Sequence, residues 1–271
     1  MSATLAMNVT NRVTQVENED SRWRGLYRVA GVAALVALIT NVLDVVLGFG
    51  GTELPVFGGQ SAMDWFALYQ DNGFKGLYML GLFNIVYMAC LFPIVFALFG
   101  AHRRTYAMYA ALAMIISFIG MAIYIANNAA IPMFVLANKY AAAGTETQRA
   151  LYVAAGEAVL AAGEDFTPGA FTGLILGGIA NIAVSFVMLR GGVFRKAAGW
   201  IGIVGFTFLS IFTIWATFIP ILYGVAFYLF GMIGGLLALA WASEYHACVG
   251  NFAFIDIAHD HGRAVPTASL L

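Results

Sequence analysis

The chain has 271 residues, 62% of them hydrophobic and only 10% charged, with a formal net charge of −1. A soluble domain carries roughly 45–50% apolar and about 25% charged residues, so this composition excludes an ordinary water-soluble core. Lys and Arg sit on the flanks of apolar blocks and form no basic domain, which excludes nucleic acid as a natural partner.

Residues 1–25 read as a polar cytoplasmic tail, because Glu17, Glu19 and Asp20 are unlike the basic start of a cleavable signal peptide. The first apolar block, Leu26 to Gly50, follows Arg22, Arg24 and Arg28 and can cross about 30 Å of hydrocarbon as a helix. Further blocks of about one bilayer thickness run from Leu77 to Phe99, Tyr106 to Asn128, Gly169 to Leu189, Trp200 to Phe218 and Ile221 to Ala242. Pro220 separates the last two, where a helix should break. The expectation is an all-α polytopic transmembrane bundle of about six spans. It forms one domain over residues 26–245, in contact with the lipid bilayer and followed by a cytoplasmic tail, 246–271.

Two connections are too long to be turns. Ser61 is a plausible N-cap for a short helix to Tyr69 with Met63, Phe66 and Ala67 on one face, predicted to lie on the membrane. Thr145 opens another helix that carries Leu151, Ala154, Ala155, Val159 and Ala162, with Gly163 as C-cap and Pro168 beyond. Both are read as short amphipathic helices on the outer side.

The orientation comes from the basic residues. Arg12, Arg22, Arg24, Arg28, Arg103, Arg104, Arg190, Arg195, Lys196 and Arg263 fall on one side, and only Lys75, Lys139 and Arg149 on the other. Both termini are therefore predicted cytoplasmic. Trp23, Trp200 and Trp241 should mark the inner boundary, and Trp65 and Trp215 the outer one.

Within the spans, Gly169, Gly173 and Gly177 repeat every four residues and Gly199, Gly202 and Gly205 every three; Gly231 and Gly235 are again four apart. Small faces let helix backbones approach closely in lipid. They serve packing within one bundle, or a homo-oligomer or membrane partner.

Ionisable groups inside spans are the candidates for function. Asp44 is the one such carboxylate, 16 residues beyond Arg28 and so about 24 Å along the first helix, in its outer third. Asn41 lies one turn earlier, and Asn84, Asn128 and Asn181 fall at or above mid-membrane in the same topology. With Glu157 on the helix above, these residues either line an outward-facing pocket that binds or translocates a small molecule, or they are interhelical hydrogen-bonding glue. Glu157 and Glu164 share a helix face, with Asp165 next to them, but no histidine lies nearby to complete a metal site. Cys90 and Cys248 imply no disulfide framework, and the phosphate-loop, His-Glu-x-x-His and Gly-x-Ser-x-Gly patterns are missing. The sequence thus assigns no catalytic residue, metal ligand or cofactor. A structural or regulatory membrane partner and an intramembrane enzyme or cofactor carrier remain the alternatives to the binding pocket.

Some stretches carry a likeness. Asn128-Ala-Ala-Ile-Pro-Met-Phe-Val-Leu-Ala-Asn-Lys-Tyr140, then Thr147-Gln-Arg-Ala-Leu-Tyr-Val-Ala-Ala-Gly-Glu157, resembles a bacterial family of multi-pass inner-membrane proteins, domain of unknown function 4386. Val193-Phe-Arg-Lys and Gly199-Trp-Ile-Gly-Ile-Val-Gly205 are similar to that family's inner loop and fifth span. The resemblance covers roughly residues 22–242. It implies a membrane fold of six or seven helices and transfers no activity and no site residue.

Overall fold

The computed structural model describes Trp23 and residues 25–44, 46–47, 60–191 and 194–244. Every regular element among them is helical. In chain order these are α1 (Gly25–Asp44), α2 (Ala62–Asp71), α3 (Gly73–Met79), α4 (Leu82–His102), α5 (Ala107–Asn127), α6 (Ala130–Ala141), α7 (Glu146–Gly163), α8 (Pro168–Gly191), α9 (Lys196–Phe218) and α10 (Tyr223–Glu244). Six helical stretches, containing α1, α4, α5, α8, α9 and α10, are long and apolar enough to cross a membrane, so the chain is an all-α polytopic bundle. The expected tails, with His246, Cys248, His259 and His261, lie outside the described residues.

Helix ends assign the two faces of the bundle. Trp23, at the start of α1, packs on Phe96 and Phe99 near the end of α4, with ring centroids 5.7 and 6.3 Å away. His102 ends α4 and stacks on Phe194 at 5.7 Å, and Arg195 at the start of α9 reaches Glu244 at the end of α10 at 3.9 Å. These residues share one end. The links that carry α2, α3, α6 and α7 all emerge at the other.

Helix α8 is the central strut, packed along both α5 and α9. The glycine pattern explains how: a Cβ on Gly173 would lie 3.0 Å from the carbonyl oxygen of Gly120 and from the backbone of Tyr124. Across α9, Cβ atoms on Gly199 and Gly205 would press into Leu189 of α8 and Leu237 of α10. Most of the glycine faces are thus taken up within the chain, whereas Gly177 and Gly235 have nothing within 4 Å of an added Cβ. Around them Ala113, Val184, Met188, Phe206 and Trp241 form the bundle core.

The four short helices form a cap with its own core of Ala62, Trp65, Phe66, Tyr69, Met133, Ala137 and Leu160. This corrects several expectations. Helix α2 does have Ser61 as N-cap, in a capping box with Asp64. Its buried face, however, is Ala62, Trp65, Phe66 and Tyr69, while Met63 and Ala67 point outward. The larger rings of Trp65 and Tyr69 bury more apolar area than Met63 and Ala67 could. Trp65 is therefore a cap core residue, and Trp241 is buried against Phe206 at 5.2 Å; neither is a boundary marker.

Helix α7 begins after Thr145 and ends at Gly163 as expected. Its buried residues are Gly156, Leu160 and Gly163; Leu151, Ala154 and Ala162 are exposed. Close approach decides that face: a Cβ on Gly156 would come within 2.8 Å of the Cβ of Ala62.

The second span starts at Leu82, not Leu77. Gly81 adopts a left-handed φ of 98°, open to glycine at little cost, and turns the chain so that Leu77 belongs to the cap.

Candidate functional site

The polar side chains gather where the cap meets the bundle. The link between α7 and α8 turns sharply at Glu164–Thr167, where Thr167 donates through both its backbone N–H (3.2 Å) and its hydroxyl (2.7 Å) to the Glu164 carbonyl. Phe166 sits in the left-handed region at φ 61°, an uncommon conformation for an aromatic residue. It is over-determined by packing, since its ring meets Phe212 at 4.9 Å and Tyr223 at 6.1 Å. The turn therefore swings Asp165 back toward the bundle.

Two neutral donors from different helices hold that carboxylate. The Tyr124 hydroxyl of α5 donates to Asp165 Oδ1 at 2.5 Å, and Asn84 Nδ2 of α4 donates to Oδ2 at 3.4 Å. Asp44, at the end of α1, lies close enough for the two carboxylates and Tyr124 to interact electrostatically. Four elements thus contribute Asp44, Asn84, Tyr124 and Asp165 to one group. Among the described residues no cation pairs with either carboxylate. Two like charges in a poorly polarisable setting repel, and a bound cation or proton would relieve that repulsion. A wall of Phe166, Phe212, Tyr223 and Phe227 stands beside it.

The candidates from the sequence separate into three kinds. Asp44 and Asn84 belong to the group. Asn128 braces the cap: its Nδ2 donates to the Gly81 carbonyl at 3.3 Å, and its Oδ1 accepts from Ala130 N–H at 3.0 Å, bridging the break between α5 and α6. Glu157 caps α2, its Oε1 accepting from Ala62 N–H at 2.8 Å, which places a carboxylate at the positive end of that helix. Asn41 and Asn181 are half-buried and make no side-chain hydrogen bond among the described residues; the Asn181 carbonyl accepts from Ser185 at 2.7 Å.

Tyr124 and Asp165 are the members that the sequence reading did not place here. Asp165 reads as a loop acid beside Glu164, and Tyr124 as one more aromatic in an apolar run. The signal that could have found them is Asp165 directly before the aromatic residue and Pro168, at the mouth of a span. Among the described residues no three His, Cys, Asp or Glu side chains gather in a metal-like cluster. Comparison of the chain with family models, with curated proteins and with solved structures found no match.

Proposed function

We propose that this integral membrane protein binds, and carries into or across the membrane, a small cationic solute at the junction of bundle and cap. One observation carries the reading: Asp44 of α1 and Asp165 of the α7–α8 link are near enough to repel, and among the described residues the Asp165 carboxylate is held by the neutral donors Tyr124 and Asn84, with no cation paired to either acid. Buried like charges without a counter-ion are a standing cost, retained where an exchangeable cation or proton supplies the missing charge. In this reading Asp44 and Asp165 supply the negative charge, and Tyr124 and Asn84 hold the Asp165 carboxylate in position.

The proposal extends to orientation and kinship. Arg103, Arg104, Arg190, Arg195 and Lys196 all belong to the end opposite the cap, which supports a cytoplasmic face there and an outward-facing cap. The likeness to the domain of unknown function 4386 family, and with it a bacterial inner membrane, is part of the same proposal. Docking of a partner through glycine faces is less favoured, because Gly120, Gly173, Gly199, Gly202 and Gly205 are occupied within the chain.

The test is a thermal-shift screen of purified protein with sodium, potassium, choline and tetraethylammonium chloride at equal ionic strength. At about 100 times Kd, a ligand that binds only the folded state adds about 2.7 kcal/mol and raises the melting temperature by several degrees. Asp44→Asn and Asp165→Asn should each abolish the response while the protein still folds. The absence of any cation-specific shift in the wild type, or a shift that persists in both variants, rejects the proposal.

A further inference from the structure

At the end of the bundle away from the cap, α8 and α9 present a matched set of cations and aromatic rings. Phe186 and Arg190 are one turn apart on α8, and the Arg190 guanidinium lies 5.0 Å from the centre of the Phe186 ring. Lys196 and Trp200 repeat that spacing on α9. Phe186 is 49% exposed and Trp200 60%, far more than a ring needs for packing, and both cations are exposed.

Helical phase places the four together. Ser185 and Leu189 mark the face of α8 turned to α9, since they are what Cβ atoms on Gly199 and Gly202 would strike. One step of 100° beyond that face lie Phe186 and Arg190. On the antiparallel α9, Trp200 lies one step beyond Gly199, and the reversal of chain direction brings it to the same side of the helix pair as Phe186. The contacts also set depth: Ser185 is level with Gly199 and Gly202, so Phe186 is level with Trp200, and Arg190 with Lys196. The result is a shallow groove with two rings on its lipid side and two cations one turn nearer the end of the bundle. No carboxylate among the described residues pairs with Arg190 or Lys196; Arg195, their neighbour, reaches Glu244 instead.

We infer that this α8–α9 groove is a binding site for an anionic phospholipid of the adjacent leaflet. Its phosphate would be held between Arg190 and Lys196, with the glycerol and upper acyl chain against Phe186 and Trp200. Charge and height select the occupant. The cations stand where headgroup phosphates lie, and the rings stand where the acyl chains begin. A membrane-surface cation contributes about a fivefold preference for anionic lipid, so two acting on one headgroup give about 25-fold.

The experiment reconstitutes full-length protein in phosphatidylcholine bilayers that contain a minor fraction of brominated phosphatidylglycerol or brominated phosphatidylcholine. The difference in quenching between wild type and Trp200→Phe isolates the Trp200 signal. Phosphatidylglycerol should quench Trp200 several-fold more strongly than phosphatidylcholine at equal fraction. That excess should vanish in Arg190→Gln/Lys196→Gln and survive in Arg195→Gln. Equal quenching by the two lipids overturns the inference, as does an excess that persists in the double variant. An equal loss in Arg195→Gln also overturns it, by showing that surface charge rather than the groove sets the preference. So does displacement by inorganic phosphate, which would assign the cations to a soluble anion.

Discussion

Gly173 and Gly177 lie one turn apart on α8, and the fold predicts opposite outcomes when each receives a methyl group. A Cβ on Gly173 meets the Gly120 carbonyl oxygen and the Tyr124 backbone nitrogen at 3.0 Å. These are main-chain atoms of α5 and cannot step aside singly, so the two helices must part by a few tenths of an ångström along their contact. Overpacking of that kind costs about 1–3 kcal/mol, offset in part by the better helix propensity of Ala, worth up to about 1 kcal/mol. A Cβ on Gly177 has nothing within 4 Å, so Gly177→Ala keeps only the propensity gain. The pair should therefore differ by about 2 kcal/mol, or about 4–8 °C in melting temperature for a domain of this size. Thermal unfolding in detergent, followed by labelling of the Cys90 thiol inside α4, measures it. A Gly173→Ala protein as stable as Gly177→Ala would refute the close-packed α5–α8 interface. Gly173→Ala should also weaken any cation response by displacing Tyr124 from Asp165, whereas Gly177→Ala should leave it intact.

Three further outcomes follow from the cap. Glu157→Ala removes the acceptor for Ala62 N–H and should cost about 1–2 kcal/mol, seen as faster hydrogen exchange at the start of α2; Glu157→Gln, which keeps an oxygen there, should recover most of the protection. Asn128→Ala strands the Gly81 carbonyl and Ala130 N–H together and should destabilise the cap by about 1–3 kcal/mol, measured as increased proteolysis between α2 and α7 in folded protein. The Ser61 hydroxyl and backbone N–H hold the Asp64 carboxyl below its ordinary 3.8. A depressed carboxyl contributes stability above its unfolded value and loses it as pH falls through the folded one. Protection at the start of α2 should therefore decline below about pH 3.8, and less so in Ser61→Ala, where only the backbone N–H of residue 61 still donates to Asp64; an unchanged pH profile in that variant would reject the hydroxyl's part in the capping box.

How much of this was legible from residues alone differs between the tiers. Span number, the break at Pro220 and the caps at Ser61 and Thr145 depend on composition and short-range hydrogen bonding, which act between near neighbours and can be read along the chain. The cap could not be read this way. Helix α3 is only seven residues long and follows a side-chain cap from Asn72, and the face that α2 buries depends on α6 and α7, more than 60 residues away. Asp44 and Asn84 stood out because polar groups inside apolar spans are expensive wherever they point. Asn128 stood out for the same reason, and Glu157 as an acid on the helix above the spans; the fold uses both to hold main-chain groups at the cap.

The sequence by itself determined that this protein lives in a bilayer and roughly where it crosses, because transfer of apolar residues into lipid is a sum over local composition. Only the tertiary structure decided which polar groups meet. The turn at Phe166 and the approach of α5 to α8 across Gly120 and Gly173 bring Asp165, Tyr124, Asn84 and Asp44 together from four separate elements. Such a meeting depends on packing between distant segments, and no local propensity encodes it.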